Sequence, residues 1–419
     1  MGITRLKVSN FKSFDELDLE LRPLNVVVGA NAAGKSNFLE IFRFVRDLAE
    51  SGLENAISLQ GGIGYLANLK IGSTRPISVQ VTSQVPAMEV PVWAGIKKDG
   101  GGTWLANARE TIYSLDLLAG SSGQNFTVIR EDVAQLCDLV QLDPPLKVEH
   151  KRRCKFLTSR VGREIRRTVQ PSRELEFVST FEQHDLVFTD LKRDLSTDES
   201  LLGRSNGPIL PNISWFDVDP RLPKKATPLT GRAELDPDGG NLAIVLKSIL
   251  SDPERAAQFS RLLRDLLPFV EDLRVENLAD KSLLFLLRET YSGEDYLPAA
   301  FLSSGTIHIA ALLLALYFDR ADVTVIEEPE RSIHPHLISR VVAMMADAAR
   351  TRQVVTTTHN PELVKHAALA DLLLVQRDRN GFSRISRPAE NDELKIFLEN
   401  ELGVDELYVQ NLLSVGHGV

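Results

Sequence analysis

The chain has 419 residues, 43% hydrophobic and 25% charged, which allows two or three folding units or one large α/β core with an insertion. A formal net charge of -9 excludes a polybasic nucleic-acid coat and confines any nucleic-acid contact to a local patch. Two cysteines, Cys137 and Cys154, exclude a disulfide framework and fit a reducing cytoplasm. The N-terminus lacks an apolar signal segment, and the longest apolar run, residues 309–318, is too short to span a bilayer, so we expect a cytoplasmic protein without a membrane domain.

Strand patterns open the chain. Residues 4–8 and 17–21 alternate apolar and polar side chains, as half-buried strands do. Residues 24–28 form a β-branched run bounded by Gly29, which predicts a buried strand entering a glycine-rich loop. Apolar residues recur with helical period from Lys35 onward, so a helix is expected after the loop.

The middle of the chain is less regular than its ends. Strand patterns occur at residues 110–117 and 127–129, and helix patterns at residues 133–140, 241–250 and 256–270. Beyond these, helix patterns at residues 303–316 and 337–349 alternate with strand patterns at residues 323–326, 353–357 and 371–376. This alternation predicts a mostly parallel sheet with helices on both faces.

Residues 29–36 match the phosphate-binding pattern G-x-x-x-x-G-K-[ST] in full, between a predicted strand and a predicted helix. Backbone N–H groups of such a loop face phosphates, and the helix N-terminus adds partial positive charge. Lys35 is predicted to reach the β- and γ-phosphates of ATP, and the Ser36 hydroxyl to coordinate Mg²⁺. The candidate nucleotide-binding residues of this segment are Gly29, Ala30, Asn31, Ala32, Ala33, Gly34, Lys35, Ser36 and Asn37.

The apolar strand at residues 323–326 ends in two acids. We assign Glu327 to support the magnesium ion, and Glu328 to orient or deprotonate the attacking water. Aspartate is usual at the first position, so Glu327 keeps the charge but adds one methylene. The alternative is an ordinary acidic turn after a strand, which the nearby phosphate-binding pattern makes the weaker interpretation.

Two further strand or helix ends carry candidate phosphate contacts. Ser303, Ser304 and Gly305 begin the helix before the acidic strand and offer N–H and O–H donors to an anion, although a plain serine N-cap is the alternative. His359 ends a β-branched strand, where it can donate to the γ-phosphate and report its presence, although a loop histidine satisfied by hydrogen bonds is the alternative. The order of the four motifs favours the functional interpretation.

In this order the motifs resemble those of ABC-type ATPases of the SMC/RecF-like division, specifically the compact AAA-family ATPases of bacterial anti-phage and retron-type defence systems. The segments that carry the resemblance are residues 3–14, 29–36, 302–306, 327–330, 333–335 and 358–361. It implies a P-loop NTPase with an ABC/SMC-like head, in which helices flank a mixed β-sheet and an α+β region is inserted. It also implies a head-to-head dimer, with Ser303, Ser304 and Gly305 contacting the γ-phosphate of ATP bound to a second protomer.

The resemblance implies catalytic roles for Lys35, Glu328 and His359, of which His359 acts as a switch. It implies that Ser36 and Glu327 bind the metal ion. Two positions depart from the pattern: Ser304 stands where transporters carry Gly, and His308 stands where relatives often carry Arg. The Q-loop glutamine stays open between Gln60 and Gln80. Four segments are expected: an N-terminal lobe (1–100), an insertion (101–295), a C-terminal lobe (296–385) and a helical tail (386–419).

Residues 147–173 are strongly basic in an otherwise acidic chain. The basic residues are Lys147, Lys151, Arg152, Arg153, Lys155, Arg160, Arg163, Arg166, Arg167 and Arg173, opposed by Glu149 and Glu164. They predict either a contact with the phosphate backbone of a nucleic acid, or a solvated hairpin or docking face for an acidic partner.

Three functions remain open from the sequence. The resemblance favours an ATP-hydrolysing sensor in anti-phage defence that works with a separate effector such as a nuclease, since residues 360–419 leave little room for a nuclease domain. The basic stretch supports the alternative of a DNA-repair or chromosome-maintenance ATPase that acts directly on DNA. Glu327 in place of Asp supports a nucleotide-gated scaffold with little turnover.

Overall fold

The computed structural model describes residues 2–84, 103–120, 125–143, 147–161, 164–171, 209–279 and 281–390. The chain divides into two compact units. The first unit comprises Met1–Leu21, Asn37–Asn212 and Arg377–Arg384, and the second unit comprises Arg22–Ser36, Ile213–Gln376 and Ile385–Val419. Each unit is therefore assembled from segments that are distant in sequence.

Both units contain strands and helices. The strands are β1 (Gly2–Phe11), β2 (Phe14–Glu20), β3 (Leu24–Val28), β4 (Ile77–Gln84), β5 (Thr103–Ala119), β6 (Phe126–Asp143), β7 (Lys147–Val161), β8 (Glu164–Pro171), β9 (Ile213–Phe216), β10 (Thr227–Pro228), β11 (Val270–Asn277), β12 (Ser282–Glu289), β13 (Leu297–Pro298), β14 (Val323–Glu327), β15 (Gln353–Thr358), β16 (Leu372–Arg377) and β17 (Ser383–Ser386). The α-helices are α1 (Lys35–Ser51), α2 (Leu53–Leu59), α3 (Ile63–Leu66), α4 (Leu242–Leu250), α5 (Pro253–Leu266), α6 (Ser304–Leu313), α7 (Pro335–Ala348) and α8 (Pro361–His366). A π-helical turn (Leu314–Phe318) follows α6 directly.

The first unit contains a seven-stranded antiparallel sheet in the order β2-β1-β4-β5-β6-β7-β8. Successive side chains of a strand point to opposite faces. In β4, Ile77, Val79 and Val81 are accordingly buried, and the residues between them are half-buried. The alternation that the sequence predicts for residues 4–8 and 17–21 recurs in β1 and β2, where buried residues alternate with more exposed ones.

Residues 133–140, for which the sequence predicts a helix, lie in strand β6. Val133 pairs with Tyr113 of β5 on one side and with Thr158 of β7 on the other. The helix prediction is wrong because pairing on both edges satisfies the backbone groups that a helix would satisfy internally. Leu136, part of the apolar helical pattern, is 38% exposed in the strand.

A six-stranded sheet in the order β17-β16-β3-β15-β14-β9 belongs mainly to the second unit. Strand β3 pairs in parallel with β15 and β16, and β14 pairs in parallel with β15 and β9. The prediction of a mostly parallel sheet is confirmed. Because the carboxyl ends of parallel strands meet at one edge of a sheet, the loops after β3, β9, β14 and β15 converge there.

A hydrophobic core joins this sheet to helices α4 to α8. It includes Val26 of β3, Leu246 of α4, Val341 of α7 and Val354 of β15. Every residue of α6 from Thr306 onward is buried, so this helix is enclosed on all sides. A smaller sheet, in the order β10-β12-β11 with β13 beside β12, completes the second unit.

The helices predicted at residues 241–250, 303–316 and 337–349 are confirmed as α4, α6 and α7. Most of the predicted helical tail, residues 391–419, lies outside the described residues. In the part of the chain that the structure describes, no helix combines the length and apolarity needed to cross a membrane.

Candidate active site

The phosphate-binding loop connects strand β3 to helix α1. All residues of β3 are buried, and the loop ends where α1 begins at Lys35. The ammonium group of Lys35 turns back over the loop, where Nζ donates to the carbonyl oxygens of Gly29 (2.8 Å) and Ala30 (3.2 Å). A Cβ atom on Gly29 would lie 2.4 Å from the carbonyl oxygen of Val375, so only glycine fits there. This strand–loop–helix arrangement is typical of an anion site.

The other loop residues differ in exposure. Ala32 has a left-handed φ of 62°, and the N–H group of Ala33 donates to the carbonyl oxygen of Ala30 at 3.2 Å. Ala30, Asn31, Ala32 and Ser36 are exposed, Ala33 and Gly34 are buried, and Asn37 is half-buried in the first turn of α1. Burial lowers the pKa of Lys35, while Glu328, Glu327 and Glu330 act in the opposite direction.

Ser36 and Glu327 contact each other although 291 positions separate them in the chain. The Ser36 hydroxyl donates to Oε1 of Glu327 at 3.0 Å. Burial raises the pKa of Glu327, and the hydrogen bond from Ser36 opposes that rise. Hydroxyl and carboxylate oxygens are hard ligands that fit Mg²⁺. Within the described ranges, no group of three or more His, Cys, Asp or Glu side chains is placed to hold a metal ion. Mg²⁺ usually keeps several waters and binds one or two protein ligands together with substrate phosphates, and the Ser36–Glu327 pair fits that mode of binding.

Glu328 follows β14 and has both carboxylate oxygens engaged. Oε1 lies 2.8 Å from Nδ1 of His359, which follows β15, and Oε2 accepts from Nη2 of Arg331 at 3.2 Å. Its backbone has a left-handed φ of 46°, and its N–H group donates to the carbonyl oxygen of Thr357 at 3.1 Å. The parallel register of β14 and β15 brings Glu328 and His359 together.

Glu330, two residues beyond Glu328, is a buried acid. Its Oε1 accepts from the Thr358 hydroxyl at 2.6 Å, and within the described residues its Oε2 has no hydrogen-bond partner. Burial raises the pKa of Glu330, and the hydrogen bond from Thr358 opposes that rise. Glu330 therefore ties the turn after β14 to the end of β15.

Residues 303–305, the signature segment, form the start of α6. Ser303 is the N-cap, and its Oγ accepts from the backbone N–H of Thr306 at 3.0 Å. Ser304 is the first helical residue and is half-buried. A Cβ atom on Gly305 would lie 2.7 Å from the carbonyl oxygen of Ser332, so the helix start rests directly on the turn after β14. The serine N-cap, which is the alternative interpretation of this segment, is therefore present.

Asp217 and Arg331 also lie at this site, and the sequence motifs assign a role to neither. Asp217 follows β9, and its Oδ1 accepts from Nη1 of Arg331 at 2.7 Å. Asp217 also raises the pKa of Glu327, although burial and the Ser36 contact have larger effects. An apolar strand ending in an acid is the same signal that identified Glu327, and residues 213–217 carry it.

The two candidate Q-loop glutamines lie in the first unit. Gln60 follows α2 and is buried, and neither polar atom of its side chain has a hydrogen-bond partner among the residues that the structure describes. Gln80 lies in β4 opposite Lys7 of β1 and Ser114 of β5. The choice between them stays open.

The basic segment forms strands β7 and β8. Arg166 is exposed, but Arg160 is buried and lies 3.6 Å from the buried carboxylate of Glu131. Arg160 therefore does not belong to an exposed phosphate-binding set. Arg163 and Arg173 lie outside the described residues.

Two family models match the chain. One, described as "AAA domain, putative AbiEii toxin, Type IV TA system", matches residues 143–365, which is more than half of the chain. The other, described as "AAA ATPase domain", matches residues 1–60.

Curated relatives match shorter segments. The DNA replication and repair protein RecF of Desulforudis audaxviator is 36% identical over 110 residues, which are 23% of this chain and 27% of that protein. The RecF of Halalkalibacterium halodurans is 44% identical over 46 residues, which are 11% of this chain and 12% of that protein. The chain thus spans about a quarter or less of the length of these relatives.

Solved structures align over most of the chain. An Smc head bound to the C-winged helix domain of ScpA covers 92% of this chain and 98% of its own, at 16% identity and a TM-score of 0.49. An Smc head with an extended coiled coil from Pyrococcus furiosus, bound to the C-terminal domain of ScpA, covers 96% and 100%, at 15% identity and a TM-score of 0.46.

Proposed function

Because the chain belongs to the family of AAA domains described as putative AbiEii toxin, Type IV TA system, we propose that it binds and hydrolyses ATP at the edge of the parallel sheet. Its fold is that of an ABC/SMC-like P-loop ATPase. One observation carries the proposal: five polar residues converge at one edge of the sheet. They are Lys35 and Ser36 after β3, Glu327 at the end of β14, Glu328 directly after it, and His359 after β15. This set contains the groups that phosphoryl transfer requires.

Each side chain has a role that follows from its position. Lys35 supplies positive charge to the β- and γ-phosphates, and Ser36 with Glu327 would hold Mg²⁺, which neutralises charge that develops on those phosphates. Glu328 accepts the proton of the attacking water. His359 contacts Glu328 at 2.8 Å, so a shift of His359 toward the γ-phosphate would free Oε1 of Glu328 for that water.

The proposal includes a second protomer. Ser303, Ser304 and Gly305 begin a buried helix whose N-terminus can bind an anion, and the resemblance to ABC/SMC-like ATPases supports their contact with ATP on a partner head. ATP then acts as a bridge between two copies of the chain. We propose that the closed pair works in the cytoplasm as a switch for a separate effector, such as a nuclease, in anti-phage defence, on the basis of the family resemblance.

Mass measurement tests the ATP-dependent pair. Wild type and Glu328→Gln are compared by size exclusion with light scattering, each with and without Mg-ATP. A stable dimer of Glu328→Gln that needs ATP is expected, because binding persists without turnover. An unchanged mass contradicts ATP-driven pairing.

Turnover tests the enzyme itself. Phosphate release by wild type is expected to disappear in Lys35→Ala and to persist in Lys365→Ala, a surface lysine of α8 whose side chain is 51% exposed. An ATP-dependent dimer without any turnover would instead favour a nucleotide-gated scaffold.

A second function, direct action on DNA, has its own support. Both curated relatives are named DNA replication and repair proteins, and β7 and β8 carry the basic segment. The test neutralises Arg152, Arg153, Arg166 and Arg167 together and measures binding to duplex DNA over a salt series. Weaker DNA binding, with an affinity that depends less steeply on salt, supports direct action on DNA. Unchanged binding excludes this segment as the DNA contact.

A further inference from the structure

The guanidinium group of Arg331 bridges two carboxylates by two different nitrogens. Nη2 donates to Oε2 of Glu328 at 3.2 Å, and Nη1 donates to Oδ1 of Asp217 at 2.7 Å. Asp217 and Glu328 follow two adjacent parallel strands, β9 and β14. Arg331 therefore spans the ends of two strands that the sheet holds in fixed register.

The two partners of Glu328 differ in what they can do. Arginine stays protonated in proteins, so Arg331 is a permanent donor to Oε2. His359 contacts Oε1 through one ring nitrogen only, and its side chain is 54% exposed, so the imidazole can turn from Oε1 to another acceptor. Oε1 is thus the oxygen that becomes free, and Oε2 is the oxygen that stays fixed.

The backbone of Glu328 reinforces this asymmetry. Its N–H group is held by Thr357 at 3.1 Å, and its φ of 46° lies in the left-handed region that a side-chain-bearing residue rarely adopts. Such a conformation persists when the surrounding contacts determine it. The contact from Arg331 fixes the remaining freedom, which is the rotation of the carboxylate.

The geometry points to Arg331, braced by Asp217, as a positioning residue that holds Glu328 with Oε1 directed at the attacking water. This inference rests on the proposed ATPase function. In the hydrolytic step the water gives a proton to Oε1 and its oxygen bonds to the γ-phosphorus. The bond from that phosphorus to the β,γ-bridging oxygen breaks and leaves ADP. If the carboxylate of Glu328 turns away from the water, hydrolysis slows while the affinity of the protein for ATP is unchanged.

The side chains of this ion-pair network are partly exposed, so a catalytic effect of a substitution can be distinguished from an effect on folding. The side chains of Arg331, Asp217 and Glu328 are 38%, 46% and 28% exposed. Ion pairs this accessible contribute little to folding. Removing the Arg331 contact is therefore expected to leave the protein folded and to slow turnover.

Steady-state ATP turnover tests the role with Arg331→Met, Arg331→Lys and Asp217→Asn. Arg350→Met is the control, because Arg350 also pairs with an acid, Asp347, but its side chain is 81% exposed and lies just beyond α7. For Arg331→Met we expect kcat to fall about 10- to 100-fold with KM for ATP within about twofold of wild type. Arg331→Lys is expected to keep part of the kcat that Arg331→Met loses, since one ammonium group can donate well to one of the two carboxylates but not to both. Asp217→Asn combined with Arg331→Met is expected to be no slower than Arg331→Met alone, because the two residues act as one device.

Three results would overturn the inference. A kcat of Arg331→Met equal to that of Arg350→Met removes the positioning role, and a raised KM with unchanged kcat assigns Arg331 to nucleotide binding instead. If the losses of kcat from Asp217→Asn and Arg331→Met add up in the double variant, Asp217 does not act through Arg331. A wild type without turnover, like Lys35→Ala, overturns the proposed function and this inference together, whereas normal wild-type turnover with an unaffected Arg331→Met overturns the inference alone.

Discussion

Nε2 of His308 donates a hydrogen bond to the carbonyl oxygen of Pro329 at 3.1 Å, a contact between α6 and the turn after β14. Because a carbonyl oxygen only accepts, the proton of a neutral His308 must sit on Nε2. Pro329 lies between the two acids Glu328 and Glu330. The helix that begins with the signature segment is thus joined directly to the turn that carries the proposed catalytic carboxylate.

This contact predicts a loss of stability in acid. Burial lowers the pKa of His308 to about 4, with the Pro329 contact and Asp217 opposing and Arg331 reinforcing the shift. An unfolded chain protonates this histidine near pH 6.5, so its neutral form stabilises the fold above that pH. As pH falls from 6.5 toward 4, wild type should lose up to about 3 kcal/mol of unfolding free energy from this group.

Urea unfolding across this pH range measures the effect. His308→Gln keeps a donor for Pro329 but does not titrate, so its unfolding free energy should depend less on pH than that of wild type. His366→Gln, which changes a histidine near the end of α8 with a side chain 35% exposed, should follow wild type. Parallel pH curves for wild type and His308→Gln would contradict the prediction.

Gly305→Ala should disturb the same junction from the other side. The new Cβ would lie 2.7 Å from the carbonyl oxygen of Ser332, whose backbone has a left-handed φ of 63°. Backbone cannot yield as a side chain does, so we expect about 1–3 kcal/mol of destabilisation and weaker ATP-driven pairing. Thermal unfolding and light scattering check both effects.

Gly231→Ala is the matched control for that substitution. There the nearest atom is Cδ1 of Ile244 at 2.8 Å, the flexible end of a side chain. A loss of stability in Gly231→Ala equal to that in Gly305→Ala would mean that the Ser332 contact has no special effect.

Glu327→Gln should separate metal use from nucleotide binding. The amide oxygen can still accept from the Ser36 hydroxyl, so the fold is expected to persist, but the negative charge that attracts Mg²⁺ is lost. Turnover at low Mg²⁺ should fall on the order of 100-fold, and Glu327→Asp, which keeps the charge, should lose less. A Mg²⁺ titration of ATP turnover measures this, with Glu362→Gln on α8 as the control. Equal Mg²⁺ dependence in wild type and Glu327→Gln would remove Glu327 from the metal site.

Mixing two inactive variants tests whether the signature acts across the dimer. Lys35→Ala lacks the phosphate-binding lysine, and Ser304→Arg blocks the signature. A mixed dimer pairs an intact Lys35 from one protomer with an intact Ser304 from the other, so the mixture should regain turnover that neither variant has. A mixture that stays inactive although the proteins form mixed dimers would place the signature in the same protomer as the ATP that it contacts.

The sequence by itself determined the parts whose cause is local. A full phosphate-binding pattern between a β-branched strand and a helix needs only contiguous residues, so the sequence alone places it at Gly29 to Ser36. The sequence likewise predicts an acid at the end of β14, a second acid directly after it and a histidine after β15, since each follows a short apolar run. Parallel strands then bring such ends together, as the 3.0 Å contact between Ser36 and Glu327 illustrates.

The tertiary structure alone decided the contacts between distant segments. Arg331 and Asp217 are 114 positions apart, and no spacing rule joins them. Residues 133–140 follow a helical pattern but form a strand, because hydrogen bonds to β5 and β7 outweigh local periodicity. Arg160 is basic in sequence yet buried against Glu131, because its strand position faces the interior. Each of these outcomes depends on which chain segment lies alongside, which is a property of the packed sheet and not of the residues in order.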